Sequence, residues 1–312
     1  MKVFHNIKEI PFFENTIITI GTFDGVHLGH QEMIRVLLRT AEQNRSRSLL
    51  ITFDPHPLKV LGDRSKPVSL LTIRDEREPI FQALHLDNVF FMPFHREIAS
   101  LTASQFIQDL LMKQIGLRSL VVGFNNTLGH DRKGNSNALR EIGRQLGFSV
   151  QHVNPVIVKD QTVSSTLIRE ALRRGEVRHA QEWLGRPYSM HGRVIRGRGI
   201  GRKLGFPTAN LDVAEDKLVP KDGVYAVLIQ FESRSYTGLA NIGYAPTLPG
   251  KSYGIEIYID NFSEIIYNNS LEIKFIGYLR EERKFESSEA MIEQIKKDQK
   301  KAQPLLAPYI RR

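Results

Sequence analysis

Two histidines stand three residues apart at the point where an apolar segment gives way to a helix-like one. The segment GTFDGVHLGHQ, residues 21–31, carries His27 and His30 and follows the apolar run NTIITI. Imidazole donors beside the N-terminus of a helix can stabilise charge that develops on a nucleotide phosphate. The spacing also suits metal ligands, although the familiar zinc signatures are absent, and a turn with capping histidines is a third interpretation. The pair alone does not decide between them.

A second segment with phosphate-binding character begins at residue 164. In SSTLIREAL, Ser164, Ser165 and Thr166 open a helix-like pattern that carries Arg169 within a turn. Hydroxyl and backbone N–H groups would hold the outer phosphates of a nucleotide, and the guanidinium would pair with them. Most such hydroxyl runs are simple helix caps, so this segment is also weak on its own.

A glycine-rich segment and a pair of possible metal ligands follow in the second half of the chain. GRGIGRKLG, residues 197–205, lets backbone approach a phosphate closely, and it contains Arg202 and Lys203. It matches neither the P-loop nor the dinucleotide-binding pattern, and a basic surface turn is the alternative. In the PTAN that follows, Thr208 and Asn210 offer oxygen ligands of the kind that Mg²⁺ prefers. Taken alone, PTAN could also be a turn.

One carboxylate alternates with isoleucines in the segment YGIEIYIDN. Ile255, Ile257 and Ile259 share one face of a strand with period two, which puts Glu256 on the other face. A carboxylate in that place could accept a proton from a substrate hydroxyl. A solvated acid is the commoner fate of such a residue, so the pattern predicts the face and leaves the role open.

Two different folding patterns position these residues. Before residue 185, short apolar runs such as TIITIGTF, SLLITFD and SLVVGFN alternate with helical spacing. This alternation predicts an α/β nucleotidyltransferase-like domain with a doubly wound parallel sheet over residues 1–184, whose ligands bind beyond the carboxyl ends of the strands. Successive strands and the closing amphipathic helix SSEAMIEQIKKDQKKA predict a small barrel or sandwich over residues 185–312.

Composition limits the class of protein. The 312 residues include no cysteine, which excludes disulfides, thiol nucleophiles and cysteine-ligated metals. No apolar run is long enough for a membrane span, and the start lacks the pattern of a signal peptide, so we expect a cytoplasmic protein. The net charge of +9 is concentrated around residues 169–203. That cluster indicates a polyanionic ligand, either a nucleic acid or the triphosphate of a nucleotide.

The order of the motifs is more specific than any one of them. G-x-F-D-G-x-H-x-G-H, F-D-P-H-P, S-S-T-x-I-R and LGRPY, then GRKLGFPTANL, GVYAV, NIGYAPT and YLREERKF, resemble the bacterial bifunctional riboflavin kinase/FAD synthetase family over nearly the whole chain. The resemblance implies that the first domain transfers AMP from ATP to FMN and that the second, a β-barrel, phosphorylates riboflavin. We therefore expect ATP as co-substrate, Mg²⁺ as the metal ion, no nucleic-acid or membrane partner, and a monomer or weak homo-oligomer.

The resemblance also implies roles for individual residues. It makes Glu256 the general base of the kinase, and it makes His27, His30 and Arg169 catalytic groups of adenylyl transfer. The ATP and phosphate ligands that it implies are Gly21, Phe23, Asp24, Gly29, Ser164, Ser165, Thr166, Gly199, Gly201, Arg202, Lys203 and Gly205. The flavin ligands are Asn125, His56, Pro57 and Arg280, and the metal ligands are Thr208 and Asn210.

One segment departs from the family pattern. GFNNTLG, residues 123–129, has Asn126 and Leu128 where the family usually carries two aromatic residues. A riboflavin kinase with weak or absent FAD synthetase activity is therefore an alternative interpretation.

Two hypotheses come from other classes. One is another nucleotidyltransferase with an H-x-G-H motif, which the C-terminal motifs oppose, and the other is an RNA-binding module. The basic stretch has few of the interleaved aromatic residues that such a module needs for base stacking.

Overall fold

The structure is a computed structural model that describes residues 1–62, 68–124, 128–129, 136–197, 201, 205–244 and 253–309. The chain folds into two compact units, Met1–Ser164 and Ser165–Arg312.

The first unit is built on a sheet of six parallel strands. The strands are β1 Lys2–Phe4, β2 Thr16–Gly21, β3 Arg47–Asp54, β4 Asn88–Pro93, β5 Leu117–Gly123 and β6 Ser149–Val153. Their order in the sheet is β1-β4-β3-β2-β5-β6, and every neighbouring pair is parallel. Parallel sheets of this kind have both faces covered, which explains the nearly continuous apolar runs in the sequence. A separate hairpin follows, formed by β7 Ile157–Val158 and β8 Gln161–Thr162.

Helices cover both faces of this sheet. Along β2 the side chain of Ile17 enters the core on one face, whereas Ile18 and Ile20 enter the core on the other. Two separate cores result, which confirms the doubly wound arrangement predicted from the sequence. The helices of this unit are α1 Leu28–Gln43, α2 Pro57–Leu61, α3 Arg74–Ala83, α4 Arg96–Ser100, α5 Ala103–Gln105 and α6 Ser136–Leu146.

The helical segment after α4 begins at a capping box and then changes type. Thr102 and Gln105 form this capping box, in which each side chain accepts from the backbone N–H of the other residue. From Phe106–Ile115 the backbone hydrogen bonds are of the π type instead of the α type. The side chains of Phe106, Ile107, Leu111 and Ile115 enter the hydrophobic core from this segment.

The second unit contains a closed barrel of six antiparallel strands. The strands are β9 Tyr188–Ile195, β10 Thr208–Val213, β11 Gly223–Phe231, β12 Arg234–Gly243, β13 Gly254–Ile259 and β14 Ser270–Arg280. They follow one another in the order β10-β13-β12-β11-β14-β9, and β9 pairs back with β10. Closure leaves the barrel without a sheet edge, and it decides for a barrel over the sandwich that the sequence left open. The three isoleucines of β13 are buried, as their alternation predicts.

Helices pack on the outside of this barrel. The C-terminal helix α9 Ser288–Leu306 begins at the N-cap Ser287 and lies against β11, β12 and β14. The helices α7 Ser165–Arg173 and α8 Val177–Leu184 also belong to this unit. The backbone N–H of Lys221 donates to the carbonyl of Leu172 at 3.0 Å, and α8 packs against β9 and β14.

These contacts bear on the boundary that the sequence predicts at residue 185, which separates α7 and α8 from the barrel. We predict that a fragment of residues 165–312 unfolds at a temperature higher by roughly 5 °C or more than a fragment of residues 185–312. The longer fragment keeps the contacts of α8 with β9 and β14. Thermal unfolding followed by circular dichroism measures the difference. Equal midpoints would mean that the two helices contribute nothing to the stability of the barrel.

Candidate active sites

The two histidines lie in the connection between β2 and α1, as the sequence predicts. His27 is the N-cap of α1, and its Nδ1 accepts from the backbone N–H of His30 at 3.4 Å. The two imidazole rings are stacked, with centroids 3.7 Å apart and planes 18° from parallel. This hydrogen bond makes Nδ1 of His27 the acceptor, so that in the neutral ring Nε2 carries the proton. The pair is thus arranged to offer a ring N–H beside a helix N-terminus.

Glycine at residue 29 is required by the position of the His27 ring. A Cβ at Gly29 would lie 3.1 Å from Cε1 and 3.2 Å from Nδ1 of His27. Such contacts are closer than side chains normally tolerate, so a larger residue would push the ring away. The same Cβ position is 3.8 Å from the carbonyl oxygen of Val163, one residue before Ser164. The start of the SSTLIR motif therefore passes the N-terminus of α1.

The backbone between β2 and His27 has an unusual conformation. Phe23, Gly25 and Val26 have positive φ angles of 48°, 82° and 40°. The Phe23 side chain is fully buried in the core, so this residue can meet a phosphate only through its backbone. Asp24 is also buried, and its Oδ1 accepts from the backbone N–H of Thr72 at 3.0 Å. The structure therefore gives these two proposed phosphate ligands a part in shaping the loop.

Two residues that sequence reasoning missed hold this loop. The hydroxyl of Thr72 accepts from the backbone N–H of Gly25 at 2.9 Å. The buried guanidinium of Arg77 donates from Nη1 to the carbonyl of Thr22 at 3.0 Å and to the hydroxyl of Thr52 at 2.9 Å. No local pattern marks either residue, because their partners lie 25 to 55 positions away in the chain.

The FDPHP motif follows the neighbouring strand β3. His56 is the buried N-cap of α2, and its Nδ1 accepts from the backbone N–H of Leu58 at 3.2 Å, while Pro57 is the first residue of the helix. Because β2 and β3 are adjacent and parallel, His27 and His56 both follow the carboxyl edge of the sheet. That placement agrees with the edge at which the sequence predicts ligand binding.

The segment after β5 is only partly described. Asn125 and Asn126 lie outside the described residues, so the predictions that fall on them stay predictions. Leu128 is described, and its side chain is packed in the hydrophobic core with 8% exposure. A leucine there therefore contributes to core packing in this chain.

The remaining residues of the SSTLIR motif lie on α7. Helix α7 begins at Ser165, which confirms the helix start predicted from the hydroxyl run. Ser165, Thr166 and Arg169 thus belong to the second compact unit, whereas Ser164 ends the first.

The barrel register brings the predicted groups of the second half to one face. Asn210 of β10 is paired with Glu256 of β13, and Glu256 is paired on its other side with Asn241 of β12. Thr208 is paired in the same way with Tyr258. Directly paired residues share a face, as do residues two apart on one strand, so all five side chains are on the face opposite the buried isoleucines. The predicted base and both predicted metal ligands are therefore neighbours.

Glycines of the GRGIGRKLG segment lie against the same group. A Cβ at Gly197 would overlap the side-chain amide of Asn210, and a Cβ at Gly201 would lie 3.4 Å from the Thr208 hydroxyl and overlap the carbonyl of Phe206. The backbone N–H of Phe206 donates to the Gly201 carbonyl at 2.8 Å. Gly205 has a φ of 80°, which favours glycine. The predictions for Gly199, Arg202 and Lys203 lie outside the described residues.

A second carboxylate holds the edge of this group. Glu282 accepts from the side-chain amide of Asn241 at 2.9 Å and from the backbone N–H of Tyr244 at 3.1 Å. A Cβ at Gly243 would overlap the Glu282 carboxylate. Sequence reasoning did not single out Glu282 or Asn241, although both lie in motifs that carry the family resemblance.

Arg280, predicted as a flavin ligand, forms an ion pair with α9. Its Nε donates to Oδ2 of Asp298 at 2.9 Å, and its Nη2 lies 2.8 Å from the same oxygen. The Asp298 carboxylate is buried. The guanidinium therefore ties the end of β14 to the C-terminal helix, whatever else it binds.

The described residues include no group of three or more histidine, cysteine, aspartate or glutamate side chains that could hold a metal ion. Among the helices of this part of the chain, none is long and apolar enough to cross a membrane. A parallel α/β unit with a histidine pair at its carboxyl edge, and a closed barrel with a carboxylate beside a threonine hydroxyl and two amides, have the polar groups that a two-domain phosphate-transferring enzyme needs.

Comparison with known proteins assigns the family. A family model described as FAD synthetase matches residues 9–167, and one described as riboflavin kinase matches residues 184–306. Bifunctional riboflavin kinase/FMN adenylyltransferases of Buchnera aphidicola from Schizaphis graminum and of Listeria monocytogenes are each 36% identical and cover 94% of this chain, with 94% and 93% of their own length matched. The Escherichia coli K12 protein is 31% identical over 95% of this chain and 94% of its own.

A solved structure has the same fold over the whole chain. The Streptococcus pneumoniae protein described as a macrolide-efflux protein has a TM-score of 0.85 at 29% identity, covering 97% of this chain and 98% of its own. The two family models and the curated relatives are the basis of the assignment. This chain belongs to the bifunctional riboflavin kinase/FMN adenylyltransferase family.

The contact between Gly29 and the His27 ring generates one prediction. We expect Gly29→Ala to lower the rate of FAD formation from FMN and ATP by about threefold to tenfold, because the added methyl shifts the His27 imidazole by a few tenths of an ångström. FMN formation from riboflavin should persist, and chromatography of the three flavins measures both products. Arg35→Ala, on the exposed side of the same helix, is the matched control. An unaltered FAD rate would show that the ring position does not matter.

The contact between Gly197 and Asn210 generates a second prediction. Gly197→Ala should lower FMN formation at least about tenfold, because the methyl group displaces the amide of a proposed metal ligand. Gly254→Ala is the control, since a Cβ at Gly254 meets nothing within 4 Å. Steady-state rates at several Mg²⁺ concentrations measure the effect. If both variants lose activity equally, the crowding at Asn210 is not the cause.

Proposed function

We propose that this chain phosphorylates riboflavin around Glu256 in the barrel and transfers AMP to FMN around His27 and His30 in the α/β unit. The chain is a bifunctional transferase: one reaction gives FMN and ADP from riboflavin and ATP, and the other gives FAD and pyrophosphate from FMN and ATP. The observation that carries the division of roles is that the histidine pair and Glu256 lie in different compact units. Ser165, Thr166 and Arg169, which we also assign to adenylyl transfer, stand at the start of the second unit.

In the kinase reaction, Glu256 acts as the general base. The terminal ribityl hydroxyl of riboflavin gives its proton to the carboxylate as its oxygen attacks the γ-phosphorus of ATP. A new O–P bond forms, the bond from the γ-phosphorus to the bridging oxygen breaks, and ADP leaves. Asn241 and Glu282 fix one side of the strand on which Glu256 stands. We assign binding of the phosphates to Arg202, Lys203 and the glycines of their segment, as the family resemblance implies.

Thr208 and Asn210 would hold Mg²⁺ for this reaction. Their side-chain oxygens are hard ligands of the kind that Mg²⁺ binds, together with water and substrate phosphates. The glycine positions at residues 197 and 201 leave backbone close to both side chains, which suits a nucleotide approaching at the same place. When bound, Mg²⁺ would neutralise charge on the β- and γ-phosphates.

In adenylyl transfer, no residue of the protein acts as a nucleophile. A phosphate oxygen of FMN attacks the α-phosphorus of ATP, and the bond to the pyrophosphate oxygen breaks. Negative charge then grows on the non-bridging oxygens of the α-phosphate, where His27 and His30 donate hydrogen bonds. The hydroxyl groups of Ser164, Ser165 and Thr166 and the guanidinium of Arg169 receive the outer phosphates. His56 and Pro57 border the flavin.

Two substitutions separate the reactions. His30→Ala should lower FAD formation about 10²-fold and leave FMN formation in place, since it removes one donor to the α-phosphate. Glu256→Gln should do the reverse: FMN formation falls about 10²-fold, and FMN added to the assay is still converted to FAD. Chromatography of riboflavin, FMN and FAD measures both rates on one sample. Equal loss of both products in either variant, with the fold intact, would contradict the division of roles.

We propose that the flavin ring of riboflavin occupies a cavity against helix α9. A cavity of about 590 Å³ lies between β12, β13 and α9, within the size range of small-ligand sites. Tyr258, two residues after Glu256 on the same face of β13, lines it, as do Asp260 and Gln299. Two residues along a strand span about 7 Å, a distance that the ribityl chain can bridge. Burial and the nearby Asp260 raise the pKa of Tyr258, so its hydroxyl stays a donor at neutral pH.

A bulky residue at the rim tests this placement. Gln303→Trp puts an indole at a residue that lines the cavity, whereas Lys297→Trp puts one on an exposed part of the same helix outside the lining. We expect Gln303→Trp to raise the KM for riboflavin about tenfold or more and to leave the KM for ATP unchanged, because it competes with the ring for space. Lys297→Trp should behave like the unaltered protein. Identical kinetics for both variants would place the ring elsewhere.

The segment at residues 123–129 bears on the strength of the first activity. The replacement at residue 126 is proposed to reshape the adenylyl site, and residue 128 packs in the core.

We further propose a monomer or weak homo-oligomer in the cytoplasm. A net charge of +9 opposes self-association, and a chain without cysteine suits a reducing compartment. Light scattering across a range of protein concentrations tests the first part.

A further inference from the structure

The loop that carries the histidines has a conformation that it would not hold alone. Two residues of this loop other than glycine have left-handed backbone: φ is 48° at Phe23 and 40° at Val26, which is β-branched. The left-handed conformation is unfavourable for residues with a Cβ atom, and it persists only where the surrounding structure holds it. Val26 immediately precedes His27. Relaxation of this backbone would therefore move the first imidazole.

Thr72 holds the middle of the loop through two reciprocal hydrogen bonds. Its backbone N–H donates to Oδ1 of Asp24 at 3.0 Å, and its hydroxyl accepts from the backbone N–H of Gly25 at 2.9 Å. Thr72 and Asp24 are both buried, so water does not compete for these bonds. The two bonds hold Asp24 and Gly25, the residues that lie between Phe23 and Val26.

Arg77 holds the start of the same loop. Only 3% of this residue is exposed, and its Nη1 donates to the carbonyl of Thr22 and to the hydroxyl of Thr52. The Thr52 hydroxyl in turn donates to the Thr22 carbonyl at 3.0 Å. The guanidinium also lies over the ring of Phe91, 5.5 Å from its centroid. The planar guanidinium can donate to both oxygens and stack on the ring at once, which the ammonium group of a lysine cannot do.

Both residues come from one segment, the turn into α3 and its first helical turn. Neither needs to touch a substrate to affect the reaction, because each fixes the backbone from which His27 projects. We infer that Thr72 and Arg77 are positioning residues for adenylyl transfer: they hold residues 22–26 in the strained form that stacks His27 on His30. This inference rests on the proposed role of the two histidines. Donors to developing charge must be placed closely, and a misplacement of 1 Å can cost about 10²-fold in rate.

The test uses the full-length protein and the hydroxyl of Thr72. Thr72→Val keeps the shape and the backbone N–H but removes the acceptor for Gly25, and Thr72→Ser keeps the acceptor. Thr19→Val is the matched control, since Thr19 is a fully buried residue of the same sheet whose hydroxyl donates to the Val121 carbonyl at 3.0 Å. Because the barrel belongs to the other compact unit, its kinase rate serves only as the internal reference for the amount of protein. Thermal unfolding followed by circular dichroism reports whether the first unit of each variant is folded.

We expect Thr72→Val to lower kcat for FAD formation about 10-fold to 100-fold, with the KM for ATP within about threefold and the kinase rate unchanged. Thr72→Ser should recover most of the rate, and Thr19→Val should keep it. Arg77→Lys should lower the same kcat and again spare the kinase. A purely structural role would lower the melting temperature of the Thr72 and Thr19 valine variants alike and leave kcat per folded molecule intact.

The outcomes separate this inference from the proposed function. If His30→Ala abolishes FAD formation while Thr72→Val and Arg77→Lys leave kcat unaltered, the histidines are catalytic and the positioning inference is wrong. If His30→Ala has no effect on FAD formation, the proposed role of the histidines fails first. If Thr72→Val does not fold, the Arg77→Lys and Thr72→Ser variants still decide, because unaltered kcat in Arg77→Lys overturns the inference.

Discussion

Close approach of glycine backbone to polar side chains is the constraint on which both candidate sites depend. Gly29 leaves no room for a side chain beside the His27 ring, and Gly197 leaves none beside the Asn210 amide. A phosphate bound at either place must fit between backbone N–H groups and side chains that are already in contact. The same close approach occurs in a parallel α/β unit and in an antiparallel barrel, so it does not depend on one type of fold.

Much of this arrangement could be predicted from local sequence. The alternation of apolar runs with helical spacing predicted the parallel sheet. The isoleucines of YGIEIYIDN predicted which face of the strand carries Glu256. The histidines were expected at the carboxyl end of β2, and they lie there as the N-cap and first turn of α1. Each of these predictions depends on a period or a turn that is contained within a dozen residues.

What could not be predicted depends on contacts between distant parts of the chain. Closure of the barrel needs β9 to pair with both β10 and β14, and no local pattern distinguishes that from a sandwich. Thr72 and Arg77 reach residues 47 and 55 positions away, so their part in shaping the histidine loop is visible only in the folded chain. The ion pair between Arg280 and Asp298 is of the same kind, and it gives a proposed flavin ligand a second, structural part.

The proposed roles assign different groups to the two units because the two nucleophiles differ in charge. Riboflavin attacks through a hydroxyl, which is a poor nucleophile until a base takes its proton, and the barrel offers Glu256 beside oxygen ligands for a metal–nucleotide complex. FMN attacks through a phosphate that is already ionised at neutral pH, so this step needs no base to take a proton from the nucleophile. Neutral or cationic donors are what that step needs, and the α/β unit presents two imidazoles at a helix N-terminus. On the proposed roles, the phosphate that the kinase step adds to riboflavin is the group that the two imidazoles then accommodate.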